Sequence, residues 1–410
     1  MICLKRPHYA WVICVGGALT FCAGMGLVAN LFALFLPDII TALELTKSQG
    51  SWLTTIRSLF TLAAMLVVNQ LCAKLGLRQV ISIGCALVGL SYLLLARAGS
   101  YAACCIACAI LGFGYCMCGP VPVSLLIGRW FESRRSLALG LASAGSGLVT
   151  IIAPPILTGI LARSGLSAGF VTVSILAFVF CISVFVLIRN TPESMGLTPY
   201  RQENADQAAA PARTVSRSMT TFEKGLVLLA TLLMAAPAGP GFAHVQTFFR
   251  SEGYAEMLVA SLTSFLGLVL LVGKILCGQV FDRLGGRLGN FYIFGLLFAG
   301  HVLFLFAPSG YGWLAFLSVG IYGMGIPISS VATARWAADL TDQAGYASAV
   351  RSINLSYSLG SLVFGPVPGM LADCFGGSFV PSYILFALML LLSLSLLHTV
   401  YVRMNAGKRH

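Results

Sequence analysis

The chain has 410 residues, of which 58% are hydrophobic and 9% are charged, and its mean hydropathy is +0.91. Water-soluble domains carry about 25% charged residues, so this composition excludes a soluble globular protein. Apolar stretches of about 20 residues, the length of a membrane helix, recur along the chain, without the ten-residue alternation of membrane β-strands. The sequence therefore predicts an all-α integral membrane protein, embedded in a lipid bilayer.

Breaks at proline, glycine and charged clusters predict twelve membrane spans. Their approximate bounds are 11–36, 51–73, 79–97, 101–128, 136–162, 167–189, 222–249, 254–280, 288–307, 311–335, 345–371 and 379–403. The first begins after "KRPH", like a signal peptide, but its apolar stretch is too long and lacks a small-residue cleavage site. It is therefore predicted to be a span.

The net charge of +12 follows the predicted topology. With a cytoplasmic N-terminus, 19 of the 25 Lys and Arg residues fall on or near the cytoplasmic side, and only Lys47, Arg97, Arg163 and Arg250 fall outside. This distribution obeys the positive-inside rule. It predicts a multi-pass protein of the cell membrane with both termini in the cytoplasm, and it argues against a nucleic-acid partner.

The thirteen cysteines include a cluster at Cys104, Cys105 and Cys108. Cys104 and Cys108 share a helix face but Cys105 does not, and no histidine lies nearby in the sequence. Since buried cysteine usually behaves as a small apolar residue, we predict no metal site and no cofactor.

Composition changes between the sixth and seventh spans. Residues 190–221 are rich in Pro, Ser, Gln and Ala with mixed charges, which predicts a flexible cytoplasmic linker between a six-helix bundle over 1–189 and another over 222–410. The halves resemble each other. "AKLGLR" (73–78) matches "DRLGGR" (282–287) after the second span of each half, and "GRW" (128–130) matches "ARW" (334–336) after the fourth. Two parallel, pseudo-symmetric six-span halves are typical of transporters that bind substrate near the membrane midplane.

The segment "GQVFDRLGGR" (278–287) resembles the loop signature of the major facilitator superfamily. The resemblance implies the major facilitator fold and a role in gating for the matching residues Gly278, Asp282, Arg283, Gly285 and Arg287. The first-half copy departs from the signature at Asn69 and Ala73. Basic residues at the corresponding loops complete the predicted gating set: Arg78, Arg129, Arg134 and Arg135.

A narrower resemblance is carried by "RWFESRRSLALGLASAGSG" (129–147), which is similar to the monocarboxylate porter group, including oxalate–formate antiporter-like bacterial proteins. "TPESMGLTPY" (191–200) is similar to a segment common among the bacterial members. The resemblance implies alternating-access transport of a small organic anion. From the residues alone, Gly140, Ala144 and Gly147 predict a close approach of span five to a neighbour.

Charged residues inside the spans point to the same function. None of the thirteen acidic residues falls in mid-span, whereas Arg57 and Lys274 do. A charge at the bilayer centre costs roughly 2.5–3.5 kcal/mol, so each cation needs water, a partner or a functional reason. Lys274 could snorkel, act structurally at the gate, or bind substrate. We hypothesise that Lys274, with Arg57 as a second candidate, binds the carboxylate of an anionic substrate.

The resemblance bears on this hypothesis. In the monocarboxylate and oxalate group, span eight carries an arginine four residues before the glycine of the loop signature, and Lys274 holds that position relative to Gly278. The chain departs from the group elsewhere. Leu270 stands where animal monocarboxylate carriers have an aspartate, and span eleven has no counterpart of the oxalate antiporters' lysine.

Further polar residues lie on spans expected to border the cavity, where they would contact substrate or form interhelical hydrogen bonds: Asn30, Tyr322, Asn354 and Tyr357. His244, in a span seven broken by Pro and Gly, and Asp38, at the outer end of span one, are candidates for carrying protons. Proton symport and anion exchange both remain open.

Other classes of function are disfavoured. The chain has no Gly-rich nucleotide loop, no metal-spaced His/Glu set and no soluble domain, so an enzyme is not predicted. The alternative is a carrier of another substrate class, such as a drug, a sugar or another neutral nutrient. A monomer is expected for this fold.

Overall fold

The computed structural model describes residues 8–132, 135–201, 219–341 and 346–406. These residues form helices and no β-strand, with one isolated parallel bridge between Phe131 and Tyr200. Within them, eleven helices are long and apolar enough to cross a membrane. One of these, Arg135–Leu187, is divided by Gly165, whose φ of 79° and ψ of 178° are not helical. The predicted all-α architecture of twelve spans is confirmed.

The helical segments follow one another with short interruptions. In chain order they are Ala10–Phe21, the π-helical turns Cys22–Asn30, Phe32–Ala42, Lys47–Leu75, Leu77–Leu95, Tyr101–Met117, Pro120–Trp130, Arg135–Leu187, Thr221–Ala238, Pro240–Ala243, Val245–Ser251, Glu256–Phe304, Gly312–Gly325, Val331–Leu340, Tyr346–Val363, Val367–Cys374 and Val380–Ala406.

These segments make up the twelve spans. Span one comprises the first three segments, Lys47–Leu75 is span two, and Leu77–Leu95 is span three. Gly165 separates spans five and six, and Gly285, with φ 75° and ψ 174°, separates spans eight and nine. Both glycines have positive φ, a conformation that side chains with a Cβ rarely adopt. Spans four, seven, ten and eleven each consist of two or three helical segments, and span twelve is Val380–Ala406.

Helix starts follow the local sequence. Span seven begins at a capping box, in which the Thr220 side chain accepts a hydrogen bond from the Glu223 amide and the Glu223 carboxylate accepts one from the Thr220 amide. Span two begins in the same way with Thr46 and Gln49. Each box satisfies amide groups that the first helical turn leaves without partners.

The described residues fall into two compact units. Unit 1 lies within Met1–Phe35 and Ile56–Ala210, and unit 2 lies within Leu36–Thr55 and Pro211–His410. The division follows the two predicted halves except for Leu36–Thr55, the end of span one and the start of span two, which belongs to unit 2.

In unit 1, span five packs closely on span one through a different glycine from those predicted. A methyl group on Gly145 would overlap the Ala18 carbonyl, whereas nothing lies within 4 Å of the corresponding positions on Gly140 and Gly147. The small-residue stripe at Gly140 and Gly147 is therefore wrong as a packing prediction. The contact shifts to Gly145 because this residue, and not its neighbours in the motif, faces span one.

The start of the predicted linker lies against unit 1. The Tyr200 amide donates to the Trp130 carbonyl at 2.8 Å, and the Glu132 amide donates to the Tyr200 carbonyl at 3.1 Å. The Tyr200 ring lies 5.7 Å from Phe131 and 5.8 Å from Trp11, measured between ring centroids. The segment 191–200 is thus ordered beneath spans one and four. Residues 202–218 lie outside the described residues.

In unit 2, the start of span two is attached to the end of span eleven. The amides of Lys47 and Ser48 donate to the two carboxylate oxygens of Asp373 at 3.0 and 2.8 Å. The Lys47 ammonium donates to the Gly377 carbonyl and lies 5.0 Å from the centre of the Phe379 ring. A carboxylate at a helix N-terminus satisfies free amides and interacts favourably with the helix dipole.

We expect Asp373→Ala to loosen the start of span two. Loss of an N-terminal cap costs about 1 kcal/mol, so the amides of residues 47–51 should exchange with deuterium about fivefold faster in purified protein. Asp373→Asn keeps one acceptor oxygen and should give an intermediate rate. Unchanged exchange in Asp373→Ala would show that the carboxylate does not hold this helix end.

Candidate functional site

Lys274 lies in span eight, on a face that avoids the exposed side of the helix. Leu268, Val272 and Ile275 form an exposed aliphatic stripe, with exposed fractions of 49%, 42% and 58%. At 3.6 residues per turn, Lys274 lies between about 100° and about 160° around the helix from these three residues. Its side chain is half-buried, and nothing lies within 4 Å of a methyl group built on Gly278, one turn further along this face. The cation is therefore not on the lipid-facing stripe.

Two residues of the aliphatic stripe also line a groove on the surface of unit 2. Leu268 and Val272 line an apolar groove of about 620 Å³ together with Trp313 and Phe316 of span ten. Lys274 is not among its lining residues. The residues that line the groove are apolar, as expected of a lipid-facing surface, and none of them is charged.

Lys274 has no protein counter-ion among the described residues. The ion pairs found there join Arg250 to Asp38 and Glu256, and Arg335 to Asp339. No described group accepts a hydrogen bond from the Lys274 ammonium. A half-buried ammonium in hydrocarbon is costly without a partner. Because no described group accepts its hydrogen bonds, all three N–H donors of Lys274 are available to an anion.

Arg57 in span two, within unit 1, also lies away from an exposed aliphatic residue of its helix. It lies about 160° around the helix from Leu59, which is 45% exposed. One guanidinium nitrogen donates to the Val28 carbonyl at 2.7 Å, and the guanidinium carbon lies 5.5 Å from the centre of the Phe32 ring. Five donors are available to an arginine, and no carboxylate among the described residues pairs with it.

The Val28 carbonyl lies in a stretch of span one that is π-helical. The π-helical turns run over Cys22–Asn30, and the Leu31 amide bonds to the Gly26 carbonyl. Asn30, the last residue of these turns, donates to the Thr150 hydroxyl of span five at 2.7 Å. Isolated π-helical turns are frequent at functional sites, and this one places Asn30 and the Arg57 contact on the same stretch of span one.

His244 lies at the second interruption of span seven and is buried. Its Nδ1 lies 2.8 Å from the Pro240 carbonyl, and its Nε2 lies 2.9 Å from the Ser51 hydroxyl. Because a carbonyl only accepts, Nδ1 carries the proton in the neutral ring, and Nε2 then accepts from Ser51. Both ring nitrogens thus have partners within unit 2.

Asp38 forms an ion pair with Arg250, 2.6 Å between Oδ1 and the guanidinium nitrogen. Glu256 lies 3.9 Å from the same nitrogen. The second oxygen of Asp38 is buried and no described group hydrogen-bonds to it. The predicted proton carriers His244 and Asp38 therefore both lie in unit 2. His244 bonds to Ser51 in the segment Leu36–Thr55, and Asp38 of that segment bonds to Arg250 in the segment Pro211–His410.

Tyr322 is fully buried, with its hydroxyl donating to the Pro237 carbonyl at 3.0 Å. Asn354 is exposed and Tyr357 is half-buried on span eleven. One further residue on the same face escaped prediction: the Ser361 hydroxyl is buried and has no hydrogen-bond partner among the described residues. Ser361 lies seven residues, about two helical turns, after Asn354, so the sequence alone could have placed it on the same helix face.

The predicted gating residues are placed as follows. Arg283 and Arg287 are exposed on either side of the kink at Gly285. Arg78 is engaged within unit 1, donating from Nε to the Phe185 carbonyl at 2.7 Å and lying 4.0 Å from the centre of that residue's ring. Arg129 ends span four.

Three predicted gating residues cannot be placed in full. Arg134 lies outside the described residues, as do the side chains of Arg135 and Asp282. In unit 2, the second-half repeat adds a cluster that was not predicted: Arg335 pairs with Asp339 at 2.9 Å, and the Tyr401 hydroxyl donates to Asp339 at 3.2 Å. The described residues hold no group of His, Cys, Asp and Glu suited to a metal ion.

Known proteins resemble this chain along most of its length. A model of the Major Facilitator Superfamily matches residues 16–356. Monocarboxylate transporter 12 of Mus musculus is 24% identical over 304 residues, which is 67% of this chain and 61% of the mouse protein. The match thus spans about three fifths of that relative. Monocarboxylate transporter 13 of Rattus norvegicus is 21% identical over 395 residues, 96% of this chain and 89% of the rat protein.

Solved structures share the fold. The nucleoside transporter NupG has a TM-score of 0.74 at 13% identity, covering 96% of this chain and 99% of its own. A D-xylose–proton symporter has a TM-score of 0.70 at 14% identity, covering 94% and 95%. The resemblances noted in the sequence are confirmed: the chain belongs to the Major Facilitator Superfamily, and its apolar helices make it a multi-pass membrane protein.

Proposed function

We propose that this transporter moves a small organic anion, a monocarboxylate or a dicarboxylate, across the cell membrane by alternating access. One observation carries the proposal: Lys274 and Arg57 lie inside spans, away from the exposed aliphatic stripes, and no described carboxylate pairs with either. The names of the mouse and rat relatives, both monocarboxylate transporters, support it.

Lys274 binds the carboxylate in this proposal. The cost of keeping a cation in the membrane, roughly 2.5–3.5 kcal/mol, is offset when an anion arrives, so the charge favours anionic cargo over neutral or cationic cargo. Lysine is a compact point charge and lacks the planar fork with which arginine grips a carboxylate. Lys274 therefore sets charge preference more strongly than it sets the orientation of the substrate.

Arg57 supplies a second positive charge. Its bond to the Val28 carbonyl uses one donor and fixes the side chain, leaving the remaining donors for an anion. Asn30, Asn354 and Tyr357 supply polar contacts in the proposed site. Tyr322 belongs to the same set, although its hydroxyl is already bonded to Pro237.

The coupling mechanism is proton symport or anion exchange. The spans hold no unpaired mid-membrane carboxylate in the described residues, so a coupled proton would travel on His244, on Asp38, on Lys274 or with the acid itself. Exchange of one anion for another needs none of these. In both cases Gly278, Asp282, Arg283, Gly285 and Arg287, with the basic residues of the first half, act at the cytoplasmic gate. The protein is proposed to be a monomer with cytoplasmic termini.

We expect Lys274→Gln to abolish uptake of labelled lactate, formate or oxalate by reconstituted protein while leaving the melting temperature unchanged or raised. The substitution removes the charge that binds the carboxylate and also the cost of burying it. Arg57→Gln should reduce uptake at least tenfold, the effect of losing one charge-assisted hydrogen bond.

Lys224→Gln is the matched control, because Lys224 is an exposed lysine at the start of span seven and its loss should leave uptake as in the wild type. Full uptake by Lys274→Gln, or uptake of only neutral compounds by the wild type, would contradict the anion proposal.

The coupling mechanism can be decided with two isosteric variants. His244→Asn keeps a donor for the Pro240 carbonyl, and Asp38→Asn keeps an acceptor for Arg250. The asparagine that each variant introduces does not titrate. For proton symport, an inward proton gradient should stimulate wild-type uptake several-fold. Loss of this stimulation in one variant, with exchange retained, would assign the proton to that residue, whereas stimulation retained in both would assign it to Lys274 or to the substrate acid. For anion exchange, the wild type should respond to an internal anion and not to the gradient.

A further inference from the structure

Span seven is interrupted at a defined place. The helix Thr221–Ala238 ends before Gly239, whose φ of −104° and ψ of −82° are not helical, and one turn, Pro240–Ala243, follows. Pro240 has no amide hydrogen, so it cannot continue the hydrogen-bond ladder of the preceding turn. Inside a membrane, carbonyls released by such a break must find other partners.

Two side chains from other spans supply such partners. The Tyr322 hydroxyl of span ten donates to the Pro237 carbonyl at 3.0 Å, and the Tyr383 hydroxyl of span twelve donates to the Gly241 carbonyl at 3.1 Å. The Pro240 carbonyl accepts from the amide and the ring of His244, within span seven itself. Both tyrosines are fully buried, and each packs against Phe304, at 5.0 and 4.9 Å between ring centroids. The interruption is therefore held from outside span seven by rigid aromatic residues.

Span eleven brings hydroxyl groups to this interruption. A methyl group built on Gly239 would lie 2.7 Å from the Ser361 hydroxyl and 3.4 Å from that of Tyr357, so a larger residue at this position would displace the Ser361 hydroxyl. Asn354, Tyr357 and Ser361 share one face of the helix, since they are separated by three and four residues. Along this face exposure decreases from Asn354 to Ser361.

Ser361 stands out from the neighbouring serines. The Ser356 hydroxyl donates to the Leu228 carbonyl at 2.6 Å, and the Ser358 hydroxyl donates to the Asn354 carbonyl at 2.9 Å. The buried Ser361 hydroxyl has no partner among the described residues. Buried polar groups are nearly always hydrogen-bonded, and an exception calls for an explanation.

We propose that the interruption of span seven and the hydroxyls of Ser361 and Tyr357 form a subsite for an uncharged polar group of the substrate, such as a hydroxyl or keto oxygen, and that Tyr322 and Tyr383 position it. The inference rests on the proposed function, because it assigns Lys274 to the carboxylate and this subsite to the rest of the molecule. An uncharged group fits because the subsite contains no charged side chain, and a hydroxyl can both donate and accept.

Acetate and glycolate test the subsite, because they differ only by a hydroxyl on the second carbon. With reconstituted wild-type protein we expect glycolate to be taken up with a higher kcat/KM than acetate. Ser361→Ala should lower this preference by about three- to tenfold, the usual effect of one lost hydrogen bond. Ser358→Ala, three residues before Ser361 on the same helix, is the control and should keep the wild-type preference. Absence of a preference in the wild type, or an unchanged preference in Ser361→Ala, overturns the subsite.

Hydrogen exchange tests the positioning residues without any substrate. Tyr322→Phe and Tyr383→Phe each remove one hydroxyl-to-carbonyl bond at the interruption. Tyr254→Phe removes a bond of the same kind, to the Ala307 carbonyl at 2.9 Å, away from it. We expect the amides of residues 241–245 to exchange at least fivefold faster in the first two variants and at the wild-type rate in the third. Equal exchange in all three overturns the positioning role.

The two experiments separate the inference from the proposed function. Uptake of neither acid would defeat the proposed anion transport and, with it, the assignment of the subsite to such an acid, while the exchange measurement would still decide whether Tyr322 and Tyr383 hold the interruption. In Tyr383→Phe, KM for glycolate should rise while KM for acetate stays the same, a difference that general destabilisation would not produce.

Discussion

A positive charge in the hydrocarbon layer has to be paired, hydrated or tolerated at a cost, and two such charges, Lys274 and Arg57, carry the proposed function. Both lie on helix faces turned away from exposed aliphatic residues. Two of the described acids, Asp38 and Asp339, pair with Arg250 and Arg335, and no described carboxylate pairs with Lys274 or Arg57. A carboxylate supplied by the protein would neutralise such a cation permanently, whereas an unpaired cation stays available to the anion that we propose as substrate.

Irregular backbone occurs in two of the spans. In span one, the Val28 carbonyl of the π-helical turns accepts from Arg57, and at the interruption of span seven the Pro237 and Gly241 carbonyls accept from Tyr322 and Tyr383. In a regular membrane helix the backbone amides and carbonyls are hydrogen-bonded to one another, so none is available to a side chain or a ligand. Each departure from regularity exposes polar groups, and each is stabilised by side chains from other helices, so that the polarity is held in place.

The spans and their number followed from the sequence because hydrophobic length is a local property that needs no tertiary information. The interruption of span seven was also readable, since Pro and Gly act locally. The bond from Tyr322 to the Pro237 carbonyl and the approach of Ser361 to Gly239 were not, because they depend on which helix faces meet. For the same reason Gly145, and not Gly140 or Gly147, makes the close approach to span one, and the segment 191–200, which by composition resembles a flexible linker, pairs through Tyr200 with span four's end.

The two copies of the loop signature differ in what their basic residues contact. In the first half, Ala73 replaces the acid and Arg78 is bound to the carbonyl and ring of Phe185, so that copy fastens span three to span six within unit 1. In the second half the acid is retained, and Arg283 and Arg287 are exposed beside the glycine kink. A basic residue already bonded within its own unit cannot exchange partners at little cost, whereas exposed ones can. In the proposed mechanism, exchange of ionic partners at the cytoplasmic gate therefore depends more on the second copy than on the first.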